Sequence, residues 1–146
     1  MAVMDADGLP LPQGLLNAIA SGRWPRSGEE SGKQELMRLF PKDRIQRLAP
    51  DEDRVYLYPP PFHTVARVLR DDTFYRRFGA IEQIDPALTV EIGDFGLGSD
   101  APIALDYRNT QESPQVIRLR WPGGGLPNQW EVMSPDFDSF ARTLGL

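Results

Sequence analysis

Cysteine is absent from this sequence of 146 residues, which excludes disulfide bonds and thiolate metal ligands. Because His63 is the single histidine, a serine triad, a paired-histidine metal site or a cysteine–histidine dyad is excluded or incomplete. No apolar run approaches the roughly 20 residues of a membrane span, and the N-terminus lacks the pattern of a signal peptide. We therefore expect a cytoplasmic protein with no metal, no cofactor and no membrane partner.

The formal net charge is -5, and it is unevenly distributed along the chain. Residues 86–146 contain eight acidic residues and four arginines, whereas residues 1–50 contain six acidic and seven basic residues. An acidic surface repels nucleic acid and attracts basic partners, which predicts a protein partner and no direct contact with nucleic acid. The alternative interpretation is that the charge only keeps the protein in solution.

Fourteen prolines and thirteen glycines predict short elements joined by many turns. Residues 1–10 lack periodicity and are expected to form a flexible tail, and the whole chain is expected to form a single domain. Apolar spacing predicts a helix over about residues 11–22 and a second helix after a polar loop at 27–32. A β-prone run over 54–58 is closed by three prolines, which predicts an edge strand, and Thr64 is placed to cap a further helix.

Four runs in the second half of the chain have the composition of strands: residues 88–92, 103–107, 115–121 and 129–133. A closing helix is predicted after Ser134, which is placed to cap it. The apolar stripe of that helix is Phe137, Phe140 and Leu144. Short connections between successive strands imply antiparallel pairing. The sequence therefore predicts an α+β fold in which helices pack on one face of an antiparallel sheet of about four to six strands.

A glycine-rich turn joins the first two of these strands and carries Asp94, Ser99 and Asp100. We expect these side chains to be displayed at one end of the sheet, which would make this end the working surface. The tripeptide beginning at Asp94 matches the magnesium-binding tripeptide of protein kinases, but the chain is too short for a kinase and lacks the preceding glycine-rich loop. The glycines suit a phosphate-binding nest or, more simply, a structural turn.

The residues alone leave two further questions open: whether three aspartates form a catalytic pair, and whether two tryptophans are buried or exposed. Asp94, Asp100 and Asp106 would supply the carboxylate pair of a hydrolase if two of them lay about 5–10 Å apart, although acids beside turns more often cap the backbone. Trp121 and Trp130 flank a seven-residue hairpin loop and are either core residues or exposed anchors for a partner.

An ordered set of short motifs covers the last two-fifths of the chain. It consists of Ile92-Gly93-Asp94-Phe95-Gly96, Gly98-Ser99-Asp100, Leu105-Asp106-Tyr107, Trp121 with Asn128 and Trp130, Ser134-Pro135-Asp136-Phe137-Asp138-Ser139-Phe140, and Leu144-Gly145-Leu146. This set resembles the SUKH superfamily, which includes fungal regulators of cell-wall glucan synthesis and many bacterial toxin-immunity proteins. The run from Arg54 to Phe62 is similar to a bacterial subgroup of that superfamily.

The resemblance implies an α+β binding module without catalysis, whose bacterial members commonly bind and neutralise a secreted toxin domain, often a nuclease. The expected partner is thus a protein, such as a basic toxin domain. The residues expected to contact it are Asp94, Ser99, Asp100, Asp106, Tyr107, Trp121, Asn128 and Trp130. A scaffold or regulator of cell-envelope assembly and, less favoured, a small carboxylate-dependent enzyme are the alternatives. The sequence departs from the family pattern at Pro127 and in the inserted glycines 123–125.

Overall fold

Successive strands with short connections pair antiparallel, because a parallel neighbour needs a long crossover. The computed structural model describes residues 5–37, 39–70, 73–95 and 101–146. Its strands are β1 (Asp5–Ala6), β2 (Leu9–Pro10), β3 (Tyr56–Leu57), β4 (Thr89–Asp94), β5 (Pro102–Asp106), β6 (Gln115–Arg120) and β7 (Gln129–Ser134). Strands β3 to β7 form one antiparallel sheet in the order of the chain, with β3 and β7 at its edges. The predicted α+β class, the strand count and the edge position of the 54–58 run are confirmed.

Helices precede and follow this sheet, as the periodicity predicts. They are α1 (Gln13–Ala20), α2 (Gly28–Met37), α3 (Lys42–Leu48), α4 (Val65–Val68), α5 (Thr73–Phe78) and α6 (Phe137–Leu144), with 3-10 turns at Ile81–Gln83 and Pro86–Leu88. Thr64 caps α4 as predicted, because its hydroxyl accepts a hydrogen bond from the backbone N–H of Arg67. Over the described ranges, no helix is both long enough and apolar enough to cross a membrane.

The polar segment at residues 27–32 is not a loop, and this prediction is wrong. Helix α2 begins at Gly28, inside that segment. The hydroxyl of Ser27 accepts a hydrogen bond from the N–H of Glu30 at 3.2 Å, and the Glu30 carboxylate accepts one from the N–H of Arg26 at 2.8 Å. This pair of bonds resembles a capping box, which outweighs the low helix propensity of the glycines.

The main core lies between one face of the sheet and helices α1, α3 and α6. Ile103 and Leu105 of β5 point into it and are fully buried. Trp24 is its largest buried side chain, packs against Phe62 and Phe137, and donates its indole N–H to the carbonyl of Tyr58 at 2.8 Å. These contacts attach the N-terminal helices to the sheet.

The opposite face of the sheet is covered as well, which corrects the prediction of helices on one face only. Ala104 and Ile117 lie on this face, buried with Val65 of α4, Tyr75 of α5 and Ile84. The Tyr75 hydroxyl donates a hydrogen bond to the Glu91 carboxylate on β4. Burial, reinforced by the negative charge of Glu91, raises the pKa of Tyr75 far above its usual value. The short helices after residue 64 therefore form a second layer.

Residues 5–10 are a β-hairpin and not the predicted flexible tail. Strands β1 and β2 pair antiparallel, with Ala6 and Leu9 buried in the main core. At its turn, Asp7 accepts hydrogen bonds from the N–H and hydroxyl of Thr64 at 3.0 and 2.9 Å and pairs with Arg67 at 2.9 Å. The Thr64 N–H is the main reason that the pKa of Asp7 is lowered. Strands of two residues are too short to show alternation of apolar and polar residues, so the hairpin could not be predicted from the sequence.

The last helix begins two residues later than predicted. Ser134 ends β7, and Asp136 is the N-cap of α6, since its carboxylate accepts the N–H of Ser139 at 2.7 Å. The predicted apolar stripe of that helix is confirmed, because Phe137, Phe140 and Leu144 are all buried in the main core.

Candidate functional site

The acidic residue expected on display at the end of β4 is buried. Asp94 is almost fully enclosed, and its carboxylate accepts a hydrogen bond from the Tyr58 hydroxyl at 3.3 Å. Ser99 and Asp100, the other acidic-turn residues predicted to bind a partner, lie outside the described residues. The prediction that Asp94 forms part of an exposed rim is wrong, because the side chain is enclosed beside the edge strand.

Asp106 and Tyr107 are likewise buried and bonded within the protein. Two oxygens of the Asp106 carboxylate accept bonds from the Arg108 guanidinium, at 3.1 Å and 3.2 Å from Nε and 2.9 Å from Nη2. These bonds to Asp106 raise the pKa of Arg108. The Tyr107 hydroxyl donates to the carbonyl of Pro10 at 2.8 Å. Both residues hold the fold together, and the prediction that they contact a partner is wrong.

The positions of Asp94 and Asp106 do not suit the carboxylate pair of a hydrolase. Asp106 pairs with Thr89, at the opposite end of β4 from Asp94. At about 3.3 Å per residue, the length of β4 separates the backbone positions of the two aspartates by roughly 16 Å, more than two short side chains can span. The two carboxyls of a glycosidase lie about 5–10 Å apart, so these two do not form such a site.

The three other predicted residues, Trp121, Asn128 and Trp130, lie close together where β6 and β7 meet the end of α5. The Asn128 amide donates to the carbonyl of Phe78 at 2.9 Å, and the Trp130 indole donates to the carbonyl of Gly79 at 2.6 Å. Both bonds satisfy carbonyls at the C-terminus of the helix. They fix α5 against β7, although the two segments are about fifty residues apart in sequence.

The side chain of Gln83 strengthens the same junction. Its carbonyl oxygen accepts the backbone N–H of Trp130 at 2.8 Å, and its amide donates to the backbone carbonyl of Asn128 at 3.3 Å. Gln83 therefore occupies backbone groups of an edge strand that would otherwise be open to pairing with another chain.

Beside this junction, three aromatic rings form a cluster that is open to solvent. Trp121 stacks on Phe74 with ring centroids 6.2 Å apart, and it lies 5.6 Å from the ring of Phe78. The cluster borders a surface cleft of about 470 Å³, here termed the aromatic cleft, which is lined in part by Phe78, Ile81, Trp121, Leu126, Pro127 and Asn128. Trp121 and Phe78 are each 42% exposed, and Leu126 is 65% exposed. Of the two tryptophans, Trp121 is thus the exposed one, whereas Trp130 is half-buried.

Glycines determine the backbone on both sides of the cleft. Gly123, Gly124 and Gly125 have φ values of 75°, 61° and 78°, which is the left-handed region that only glycine adopts without strain. On the other side, a Cβ at Gly79 would lie 2.7 Å from the carbonyl oxygen of Tyr75. The inserted glycines are therefore the means by which the hairpin loop bends to place Leu126 beside the cleft.

Basic side chains stand at the rim of the aromatic cleft. Arg76 and Arg77 line it together with one acidic residue, Glu82, and all three are exposed. The Arg76 guanidinium donates to the carbonyl of Leu69 at 2.9 and 3.3 Å. The Arg77 guanidinium lies 5.4 Å from the centroid of the Phe78 ring, within the range of a cation–π contact. The cleft thus combines an apolar surface with donors that favour carboxylates.

A separate charged cluster lies on the main-core face, around Arg118. Its guanidinium donates to Asp51 at 2.7 Å and to Glu131 at 2.8 Å, and it lies 6.0 Å from the Phe95 ring. Burial lowers the pKa of Arg118, but the bonds to the two carboxylates outweigh burial and raise it. Burial raises the pKa of Glu52, with a contribution from neighbouring Asp51. The bonds of Arg118 join the segment after α3 to β6 and β7, which stabilises the fold.

In the part of the chain that the structure describes, no group of three or more histidine, cysteine, aspartate or glutamate residues is arranged to hold a metal ion. Comparison of the chain with protein-family models, with curated proteins and with solved structures finds no match.

Sequence reasoning missed the part of the cleft that comes from α5. Phe74 and Phe78 are four residues apart, a spacing typical of one face of a helix, but nothing local indicates that Trp121 packs on them. The adjacent arginines at 76 and 77 were a usable signal, because two exposed cations beside an aromatic residue are typical of a binding surface.

Proposed function

We propose that this protein is a non-catalytic protein-binding domain that neutralises a bacterial toxin domain by binding to it. The observation that carries the binding function is the aromatic cleft. Among the described residues, five large apolar side chains are exposed, and three of them, Phe78, Trp121 and Leu126, line this one cleft. Exposed aromatic residues grouped beside arginines are typical of the residues that dominate binding energy at protein interfaces.

The cleft fits binding better than it fits a reaction. Among the described residues of its lining there is no histidine and one carboxylate, Glu82, so these residues offer no acid–base pair. Neutralising a toxin requires only that a surface be covered, which shape and charge complementarity accomplish. The toxin as partner rests on the resemblance to the SUKH superfamily.

Co-expression tests this proposal directly. The chain is produced together with a secreted toxin domain encoded in the genes beside its own, and the growth of the host is measured. The wild-type chain is expected to restore growth. Trp121→Ala is expected to weaken binding to an inactivated form of that toxin domain by about 30-fold, the loss of a typical aromatic anchor.

Leu39→Ala is the matched control, because Leu39 is a large apolar residue that is exposed but does not line the cleft. This variant should retain the wild-type affinity and the rescue of growth. Absence of rescue by the wild-type chain, or equal losses in the two variants, would contradict the proposed function.

A further inference from the structure

The charge at the aromatic cleft is opposite in sign to the charge of the chain. The protein has a net charge of -5, yet the ionisable groups that line this cleft, within the ranges that the structure describes, are Arg76, Arg77 and a single acid, Glu82, beside the phenol of Tyr75. Over the residues that the structure describes, neither arginine forms an ion pair with a carboxylate. Both guanidinium groups are also exposed at the rim, so they are accessible to a ligand.

Contacts within the protein limit how far the two guanidinium groups can move. Arg76 is held by the Leu69 carbonyl through two of its nitrogens, and Arg77 lies over the ring of Phe78. A guanidinium group presents five N–H donors, so Arg76 keeps donors available for an incoming carboxylate. Such partial fixing lowers the entropy that an arginine loses when it binds.

We propose that the aromatic cleft binds an acidic segment of a partner protein. A phenylalanine or leucine of that segment packs against Trp121 and Phe78, and flanking aspartates or glutamates pair with Arg76 and Arg77. The volume of about 470 Å³ accommodates one large side chain with its neighbours. This inference rests on the proposed function in taking the partner to be a protein, and it replaces the basic partner that the net charge suggested.

Nucleic acid is the competing ligand, because aromatic rings and arginines also bind bases and phosphates. The structure favours the acidic segment for two reasons. The cleft has two cations, whereas a nucleic acid backbone needs a track of them along its length. The chain as a whole is acidic, and its net charge would repel a polyanion at longer range more strongly than a short peptide with a few carboxylates.

Tryptophan indole resonances test the inference without knowledge of the natural partner. Trp121 lines the cleft and therefore reports on it, whereas the indole N–H of Trp24 is bonded inside the core and that of Trp130 is bonded to Gly79. Three probes are titrated into the 15N-labelled full chain: a nine-residue peptide with a central phenylalanine flanked by glutamates, the same peptide with lysines in place of the glutamates, and a nine-nucleotide oligo-dT. Only the glutamate peptide should shift the Trp121 resonance, while the Trp24 resonance remains unchanged.

Charge reversal identifies the groups that bind. The double variant Arg76→Glu/Arg77→Glu should weaken binding of the glutamate peptide by at least about tenfold, since two charge-assisted contacts are lost. Arg47→Glu is the control, because this exposed arginine lies on α3, away from the cleft. It should change the affinity by less than about twofold, in keeping with the small effect of remote surface charges. Unchanged Trp24 and Trp130 resonances establish that each variant is folded.

Several results would overturn the inference: no shift of Trp121, an equal or larger shift with the lysine peptide or oligo-dT, or an equal loss of affinity in Arg47→Glu. The growth assay separates this inference from the proposed function. Rescue that is lost in Trp121→Ala but retained in Arg76→Glu/Arg77→Glu would support protein binding and refute the acidic partner. Binding of the glutamate peptide without rescue by the wild-type chain would support the acidic partner and refute toxin neutralisation.

Discussion

Neutralising the two carboxylates around Arg118 should destabilise the protein more than replacing Arg118 itself. The Arg118 side chain is 3% exposed, whereas those of Asp51 and Glu131 are 38% and 37% exposed. The double variant Asp51→Asn/Glu131→Gln retains hydrogen-bond acceptors but leaves a buried cation, which typically costs about 3–5 kcal/mol. The Glu52 carboxylate also interacts electrostatically with Arg118, so it would still compensate part of the Arg118 charge in the double variant. We therefore expect a loss of stability near the lower limit of that range, about 3 kcal/mol.

Replacing the arginine has the smaller cost because its partners can rehydrate. In Arg118→Met, the carboxylates of Asp51 and Glu131 keep more than a third of their surface in water, and methionine fills part of the vacated volume. We expect this variant to lose about 1–2 kcal/mol, including the contact with Phe95. Adding Arg118→Met to the double variant should restore about 1 kcal/mol, since it removes the uncompensated charge.

Urea unfolding followed by circular dichroism measures these differences. With a slope of about 2 kcal/mol per molar urea, the double variant should unfold at a midpoint about 1.5 M lower, and Arg118→Met less than about 1 M lower. Asp43→Asn, which removes the exposed Asp43–Arg47 pair, is the control and should cost under about 0.5 kcal/mol. A greater loss in Arg118→Met than in the double variant, or no recovery in the triple variant, would refute the reasoning.

Three further predictions concern capping and the α5 junction. Hydrogen bonding to the Ser139 N–H lowers the pKa of Asp136, so its stabilisation is present above the unfolded pKa of about 4 and is lost as the pH falls through the folded pKa. Asp136→Ala should therefore cost about 1 kcal/mol in urea unfolding at pH 7 and clearly less at acid pH, and equal costs would contradict this. Gly79→Ala should cost about 1–3 kcal/mol, because the new Cβ would lie 2.7 Å from the Tyr75 carbonyl oxygen, and an unchanged thermal midpoint would argue against it. Trp130→Phe leaves the Gly79 carbonyl without its 2.6 Å bond and should cost about 1–2 kcal/mol, so wild-type stability of that variant would rule out a structural role for this bond.

The sheet could be predicted from the sequence because its signals are local. Alternation in β4 and β5 and the short connections between strands define an antiparallel meander without knowledge of distant contacts. The second layer could not be predicted in this way. Ala104 alternates with the core residues Ile103 and Leu105, which places it on the opposite face of β5, and only the packing of α4 and α5 shows that this face is also buried.

Only part of the candidate site could be predicted from the sequence. The difference between the predicted and the missed residues has a physical cause. Acids near turns look like surface groups, but a short carboxylate is also the best acceptor for internal donors, and Asp94 and Asp106 are used in that way. Trp121 and Asn128, two of the predicted contact residues, do line the aromatic cleft. The arginines that accompany them come from α5, about fifty residues earlier, and no spacing rule links the two segments.

The proposed binding of an acidic segment would make net charge a poor guide to the partner, because the charge of the cleft is opposite to that of the chain. At physiological salt, charges are screened beyond about 8 Å, so a contact at the cleft is governed by the groups that line it. The net charge of -5 acts at longer range. There it slows the approach of an acidic partner and makes the association rate more dependent on salt concentration. An acidic segment must therefore bind through contacts that are strong at short range. The proposed pairs between Arg76 or Arg77 and the carboxylates of that segment would be contacts of that kind, since the segment's own apolar side chain, packed on Trp121 and Phe78, would exclude water beside them.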